Sequence, residues 1–304
     1  MRFVQYKKKN DNCQYLGVSS DDGSQIKELN STCYPNDLIE LIESGVDVNE
    51  IKEKIKDLDH ICTADVELLP PILEPQKILC VGLNYRGHCD EQKKEYPKEP
   101  MFFSKFASTL VGPTGNVIAH KISNEIDWEV ELAVIIGAKA SHVKKENAFD
   151  YVFGYSIAQD ISARDWQKQR NGGQFLIGKS MDSFCPLGPA VVHKSALDPR
   201  DLTIKCSINN VLKQCGKTSE LIFTIEDIIE RVTQSITLLP GEIWNLTYEA
   251  SNWNLLFLGD IILTGTPGGV GMHRCPPEFL KVGDVIESEI EGIGKIINTV
   301  VAGN

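Results

Sequence analysis

The chain has 304 residues, more than one compact core usually holds, so a large domain with a smaller companion is expected. Hydrophobic residues make up 42% and charged residues 24%, an ordinary globular composition that excludes a disordered chain. With 31 Lys and Arg against 42 Asp and Glu the formal charge is −11, which argues against a nucleic-acid partner and leaves single basic residues to serve a small anion locally.

No apolar run approaches the length needed to span a bilayer, so no membrane partner is expected. The opening MRFVQYKKKNDNCQ has neither the apolar core of a secretory signal nor the character of an Arg/Ser-rich presequence. Nine scattered cysteines, never in CxxC spacing, point to a reduced intracellular protein, mitochondrial or cytoplasmic. They give little support to a zinc cluster or a disulfide framework. The sequons at Asn30 and Asn245 read as chance matches.

MRFVQY and CQYLGV read as two short strands around the polar turn KKKNDN. NDLIELIESGVDVNEIKEKIK carries helical periodicity, broken near Gly45. These pieces form a small α+β domain over residues 1–72, closed by the proline-rich stretch LLPPILEPQ, which favours an extended linker. Residues 73–304 are strand-rich. KILCVGL (77–83) reads as a buried strand, followed by EVELAVIIG (129–137), YVFGYSIAQDIS (151–162) and LGDIILTGTP (258–267). TIEDIIERVTQSITLL is a helix starting at Thr224 with a capping-box Asp227, and DVIESEIEGIGKIINTVV is a hairpin around Glu291-Gly292. Helices do not alternate regularly with strands, so a β-rich α+β roll or sandwich fits better than a doubly wound sheet.

Chemistry concentrates in a few places. Glu129 and Glu131 lie two apart at the start of an apolar strand, so they share one face while Val130, Leu132 and Val134 take the other. Such a pair either lines a solvated strand face or holds a hard, oxygen-seeking cation such as Mg²⁺, Mn²⁺ or Ca²⁺. Asp160, at the end of YVFGYSIAQD, is either a third ligand or turn chemistry before the helix SARDWQ, with Ser162 as its cap. Arg164 and Gln167, three apart on that helix, can grip a substrate carboxylate together or sit in a surface salt bridge. Lys179, embedded in FLIGKSMDSFCPLGP, is placed to neutralise an anionic ligand. His88 and Glu91, three apart after a buried strand, fit a general base and its orienter, or a plain exposed histidine. Thr264 and Thr266 stand among glycines, where a hydroxyl and backbone amides can hold a carboxylate; the GxxxxGK[ST] phosphate loop is absent. The polar segment 84–98 reads as a lid that orders on ligand binding.

In order, GLNYRGH, PMFFSKFASTLVGP, IDWEVELAVIIG, GYSIAQDISARDWQ, FLIGKSMDSFCPLGP and LGDIILTGTPGGVG resemble the fumarylacetoacetate hydrolase family over roughly residues 77–301. The opening and ending segments look most like its eukaryotic domain-containing proteins of the second type. The resemblance implies a mixed β-sandwich roll, usually a homodimer, with one divalent cation per subunit on Glu129, Glu131 and Asp160. It implies His88 with Glu91 as the catalytic pair, and Arg164, Gln167, Lys179 and Thr266 against the ligand. It further implies chemistry on small 2-oxo dicarboxylates through a metal-chelated enolate, foremost oxaloacetate keto–enol tautomerisation. On that reading Arg164 pairs with the distal carboxylate. A C–C bond hydrolase of the acylpyruvate or fumarylacetoacetate type, an oxaloacetate decarboxylase and a non-catalytic ligand-binding homologue are the alternatives.

Overall fold

The computed structural model of the chain describes residues 1–9, 11–29, 32, 34–240 and 259–303. Cys33, Leu258 and the two sequons at Asn30 and Asn245 lie outside them. The architecture is α+β and rich in strands, built on two sheets.

The larger sheet has twelve strands. Its path runs His60–Cys62, Gln25–Glu28, Gln14–Ser19, Arg2–Lys8, Cys185–His193, Val152–Gln159, Val130–Ile136, Ile261–Leu263, Ile78–Gly82 and Met101–Lys105. Along this path every pairing is antiparallel except that of Ile261–Leu263 with Ile78–Gly82. The second sheet holds five strands in the order Val211–Lys217, Thr203–Ile208, Val285–Ile290, Gly294–Ala302 and Val117–Ala119. The last hairpin turns at Glu291-Gly292, as its sequence suggests, with Ile290 opposite Gly294.

Strand Val130–Ile136 is buried on both faces. Val130, Leu132, Val134 and Ile136 pack against Ile204, Ile286, Ile290 and Ile296 of the smaller sheet, which makes the sandwich core. Ala133 and Ile135 face the other way, into a core shared with Phe3, Leu16, Leu38 and Ile39. The first 72 residues therefore extend the main sheet and its core. Phe3 stands opposite Val191, and helices Leu38–Glu43 and Val48–Lys54 flank that face. The helix break is at Gly45, whose φ of 65° suits a residue without a β-carbon.

Helix Ile225–Thr233 opens with the expected capping box: Thr224 Oγ1 accepts from the Asp227 amide and Asp227 Oδ2 from the Thr224 amide. Burying Ile225, Ile228, Ile229 and Val232 fixes it to the sandwich, each side chain contributing about 1.5–3 kcal/mol. It stops at Thr233, short of the TQSITLL reading, because Leu238 is drawn into a bridge with Ala140 and Thr233 Oγ1 accepts from the Val143 amide. Among the described residues no helix is long and apolar enough to cross a membrane. The eight described cysteines are free thiols.

Candidate metal centre and substrate cleft

Topology gathers the site at one end of the large sheet. Glu129 and Glu131 stand at the start of Val130–Ile136. The next strand runs antiparallel with Gln159 opposite Val130, so Asp160 falls beside Glu129, and its amide donates to the Glu129 carbonyl at 2.8 Å. On the other side, Leu263 stands opposite Ala133, so the chain leaves Ile261–Leu263 into the Thr264–Thr266 loop at the same end. Parallel to it, Ile78–Gly82 also ends there and leads into helix Arg86–Glu91 with His88. Strand ends with their loops are where binding groups converge.

One ligand oxygen each from Glu129, Glu131 and Asp160 lie within 4.8 Å of one another, and all three residues are buried. Lys179 Nζ bridges two of them, 2.6 Å from Glu129 Oε2 and 2.5 Å from Asp160 Oδ2. Lys105 Nζ donates to Asp160 Oδ1 at 2.7 Å, and to the carbonyls of Ile161 and Lys179. Arg164 donates from Nε to Asp127 Oδ2 at 2.8 Å, from NH2 to Glu129 Oε1 at 2.6 Å and from NH1 to Gln167 Oε1 at 2.9 Å. Four buried acids, Asp127, Glu129, Glu131 and Asp160, thus meet three buried bases, Lys105, Arg164 and Lys179, and one negative charge is left over.

That charge belongs to Glu131. Among the described residues no basic side chain lies within ion-pair distance of it; Oε2 accepts only from the Gly265 amide, at 2.7 Å. Burial, followed by the charges of Asp160 and Glu129, pushes its carboxyl well above the usual glutamate range. Burial acts in the same sense on Glu129, but Arg164 and Lys179 outweigh it and hold that carboxyl below the ordinary range. Burial would lower the Lys179 ammonium, and Asp160 and Glu129 overcome it and raise it. An all-oxygen donor set with surplus negative charge fits a hard divalent cation, so the triad can hold a metal.

His88 is buried, its Nδ1 2.5 Å from Glu91 Oε1. Glu91 Oε2 accepts from the Gly269 amide at 2.7 Å, which fixes the orienter from behind. His88 Nε2 lies 2.9 Å from Gln92 Nε2, a geometry that suits a neutral ring protonated on Nδ1 and accepting from the Gln92 amide. Gln167 and Thr266 line a cavity of about 90 Å³ together with His88, Arg164 and Lys179, and Glu91 stands behind His88. Thr266 Oγ1 donates to the Val130 carbonyl at 2.9 Å and accepts from Gln214 Nε2 at 2.7 Å.

The structure departs from the sequence reading in several places. Ser162 is no helix cap: it sits in the two-residue strand Ser162–Ala163 paired with Ile126–Asp127, and its hydroxyl donates to the Asp160 carbonyl. The guanidinium of Arg164 is already balanced by Asp127 and Glu129, so what it keeps for a substrate is N–H donors more than charge. The expected lid is pinned at its start. Asn84, Tyr85, His88 and Cys89 are buried, and the Asn84 amide bonds Phe223 and Thr264, while Arg86, Gly87, Asp90, residues 93–96 and residues 98–99 are exposed. The glycine loop, read as a carboxylate holder, does hold carboxylates, but the protein's own: Gly265 serves Glu131, Gly269 serves Glu91, and Gly271 and Met272 serve Asp127. Gly265 and Gly269 have φ of 105° and 103°, and a β-carbon at Gly269 would lie 2.2 Å from the Lys213 carbonyl oxygen.

Asp127, Lys105 and Gln92 belong to this site and were not singled out from sequence, though Asp127 and Lys105 lie in quoted motifs and Gln92 in the segment 84–98. Their partners are 37, 55 and 4 residues away respectively, and only the last spacing is readable from a helical pattern.

Comparisons with known proteins agree with this geometry. The family model described as Fumarylacetoacetate (FAA) hydrolase C-terminal matches residues 77–301. The chain is 43% identical over 306 residues to a Bos taurus protein named "Oxaloacetate tautomerase FAHD2B, mitochondrial", covering 99% of this chain and 92% of that one. It is 42% identical, with the same coverage, to "Oxaloacetate tautomerase FAHD2A, mitochondrial" of Homo sapiens. The solved structure of a fumarylacetoacetate hydrolase from Exiguobacterium antarcticum matches with a TM-score of 0.84 and 34% identity over 100% of both chains. A 5-carboxymethyl-2-hydroxymuconate delta-isomerase from Mycobacterium smegmatis matches with a TM-score of 0.74 and 29% identity, again over 100% of both. By the motifs of residues 77–301 and by the fold of nearly its whole length, the chain belongs to the fumarylacetoacetate hydrolase family.

Proposed function

We propose that this protein is a divalent-metal-dependent oxaloacetate tautomerase, interconverting the enol and keto forms of a small 2-oxo dicarboxylate. The observation that carries the reading is the meeting of two devices in one small cavity: a three-carboxylate cluster with one surplus negative charge, and a histidine whose far nitrogen is locked by a carboxylate. The printed names of the Bos taurus and Homo sapiens relatives support the substrate.

A divalent cation, Mg²⁺ in our reading, would be held by Glu129, Glu131 and Asp160 and would supply Lewis-acid polarisation of the 2-oxo acid. The rest falls to the chain. Glu91 keeps the proton of His88 on Nδ1, leaving Nε2 to take the proton from C3 on enolisation and give it back on ketonisation, while the C2 oxygen gains or loses its own proton through solvent. Gln92 now fills the position facing Nε2 and has to give way when substrate enters. Lys179, already paired with Glu129 and Asp160, offers its remaining N–H where the enolate oxygen develops. Arg164 and Gln167, fixed to each other, offer their remaining N–H groups to the substrate, and Thr266 borders the same space. Tautomerisation moves only a proton and asks less of the site than C–C hydrolysis, which also needs a placed water and room for an acyl group. Decarboxylation and a purely ligand-binding role remain arms of the test. A homodimer in mitochondria or cytoplasm completes the reading; the relatives' names print the former.

The test is an assay of purified protein on enol-oxaloacetate with Mg²⁺, with EDTA and with Glu131→Gln, and with acetylpyruvate and fumarylpyruvate alongside. Metal-dependent ketonisation abolished by the substitution is expected. Faster cleavage of an acylpyruvate, release of CO₂, or no turnover at all would overturn the assignment.

A further inference from the structure

Every described cation on the floor of the cavity is paired with a carboxylate, but two at its mouth are not. Lys168 lies four residues beyond Arg164 on helix Arg164–Lys168, hence one turn further out on the same face. Lys94 follows helix Arg86–Glu91 and is tied by its amide to the Cys89 carbonyl at 3.1 Å. Both line the cavity together with Arg164, Gln167 and Lys179, and both are exposed at its rim. Among the described residues neither ammonium lies within 4.0 Å of a carboxylate oxygen; Lys168 Nζ instead sits 5.9 Å from the ring centroid of Phe175, which lines the same wall. An ordinary surface lysine points into water. Lys168 is exposed as a residue, yet partial desolvation, with the charges of Lys94 and Arg164, brings its pKa down to about 8. Like charges gathered without a counter-ion beside a cleft are relieved by an incoming anion.

A 2-oxo dicarboxylate has one carboxylate next to the reacting carbonyl and one at its far end. Since Arg164 is already neutralised by Asp127 and Glu129, it offers hydrogen bonds without net charge. We infer that Lys168, assisted by Lys94, determines specificity in this cleft by receiving the substrate carboxylate farthest from Glu129, Glu131 and Asp160, so that 2-oxo dicarboxylates are preferred over 2-oxo monocarboxylates of equal length. This rests on the reading of the cleft as a 2-oxo acid site.

The experiment compares oxaloacetate with its 4-methyl ester, which keeps the reacting end and loses the far charge, in the full chain with Mg²⁺. Lys168→Met should raise KM for oxaloacetate roughly tenfold, the scale of one charge-assisted hydrogen bond, with kcat nearly unchanged. KM for the ester should stay put, Lys168→Arg should restore the dicarboxylate preference, and Lys94→Met should have a smaller effect of the same kind. Equal KM for oxaloacetate in wild type and Lys168→Met, or equal losses for both substrates, would overturn the inference while leaving the tautomerase reading intact. If wild type turns over neither compound, that reading fails by itself, and Mg²⁺-dependent binding of oxaloacetate against the ester by calorimetry, in wild type and Lys168→Met, still decides the role of Lys168.

Discussion

The floor and the mouth of the cleft are built on opposite principles. On the floor, Lys105, Lys179 and Arg164 are buried and locked to carboxylates at 2.5–2.8 Å, and only Glu131 lacks a basic partner. At the mouth, Lys94 and Lys168 are exposed and lack a carboxylate partner among the described residues. Rigid, compensated charge suits a reaction that must always run the same way, because preorganised dipoles cost nothing to reorganise when the transition state forms. Uncompensated, mobile charge suits recognition. The difference suggests that reaction type is written in the floor and substrate choice in the mouth.

Four experiments break or sharpen that division. The largest effect is expected from Glu131→Gln, which removes the surplus charge: kcat/KM should fall by about 10⁴-fold, since a bound cation is worth several kcal/mol to a developing enolate. The same loss on adding EDTA to wild type, reversed by Mg²⁺, checks that the metal is the cause. His88→Gln should lower kcat by about 10³-fold, within the range for a general acid–base group, while thermal stabilisation by Mg²⁺ is retained. If His88→Gln also abolishes that stabilisation, floor chemistry and metal binding are not separable as drawn. Lys105→Met touches no substrate but leaves Asp160 short of a buried partner, so urea unfolding should show a loss of about 3–5 kcal/mol. An unchanged midpoint would mean the floor is less rigid than its distances imply.

The fourth and smallest effect is on pH dependence. Glu131 binds its proton more tightly folded than unfolded, where its ordinary value is 4.5. Metal-free stability should therefore decline as pH rises above that value toward the raised folded pKa, because the folded state holds the proton longer. A divalent cation binds the carboxylate form, so the rise in melting temperature with Mg²⁺ should grow from pH 5 to pH 8, by a few degrees. An increment that stays constant with pH would show that Glu131 is already ionised without metal.

What the sequence disclosed follows the range of the interaction. The two-residue spacing of Glu129 and Glu131, the Thr224–Asp227 capping box and the His88–Glu91 step all depend on local periodicity, and the structure brings each pair together. Asp160 was legible because strand ends lead into sites. Lys105 and Asp127 were not, because their meaning comes from partners brought close by sheet pairing far along the chain. Polar composition from Asp90 to Pro100 hid the anchoring of Asn84, Tyr85 and Cys89 just before it, so the start of the segment 84–98 read as a lid is held in the core. For the boundary at residue 72, we propose that residues 1–72 are a folding annex of 73–304, since Phe3 and Leu16 share a core with Ile135 and Ile261.

Three acids with three different tasks take amides from one short backbone segment, Gly265 to Met272. A shift of that segment disturbs the carboxylates of Glu131, Glu91 and Asp127 in a single stroke, so on the proposed reading a substitution there is expected to cost activity all at once and not by degrees. On the same reading, a change of substrate preference is expected from single substitutions around the rim, with the segment from Gly265 to Met272 left as it is.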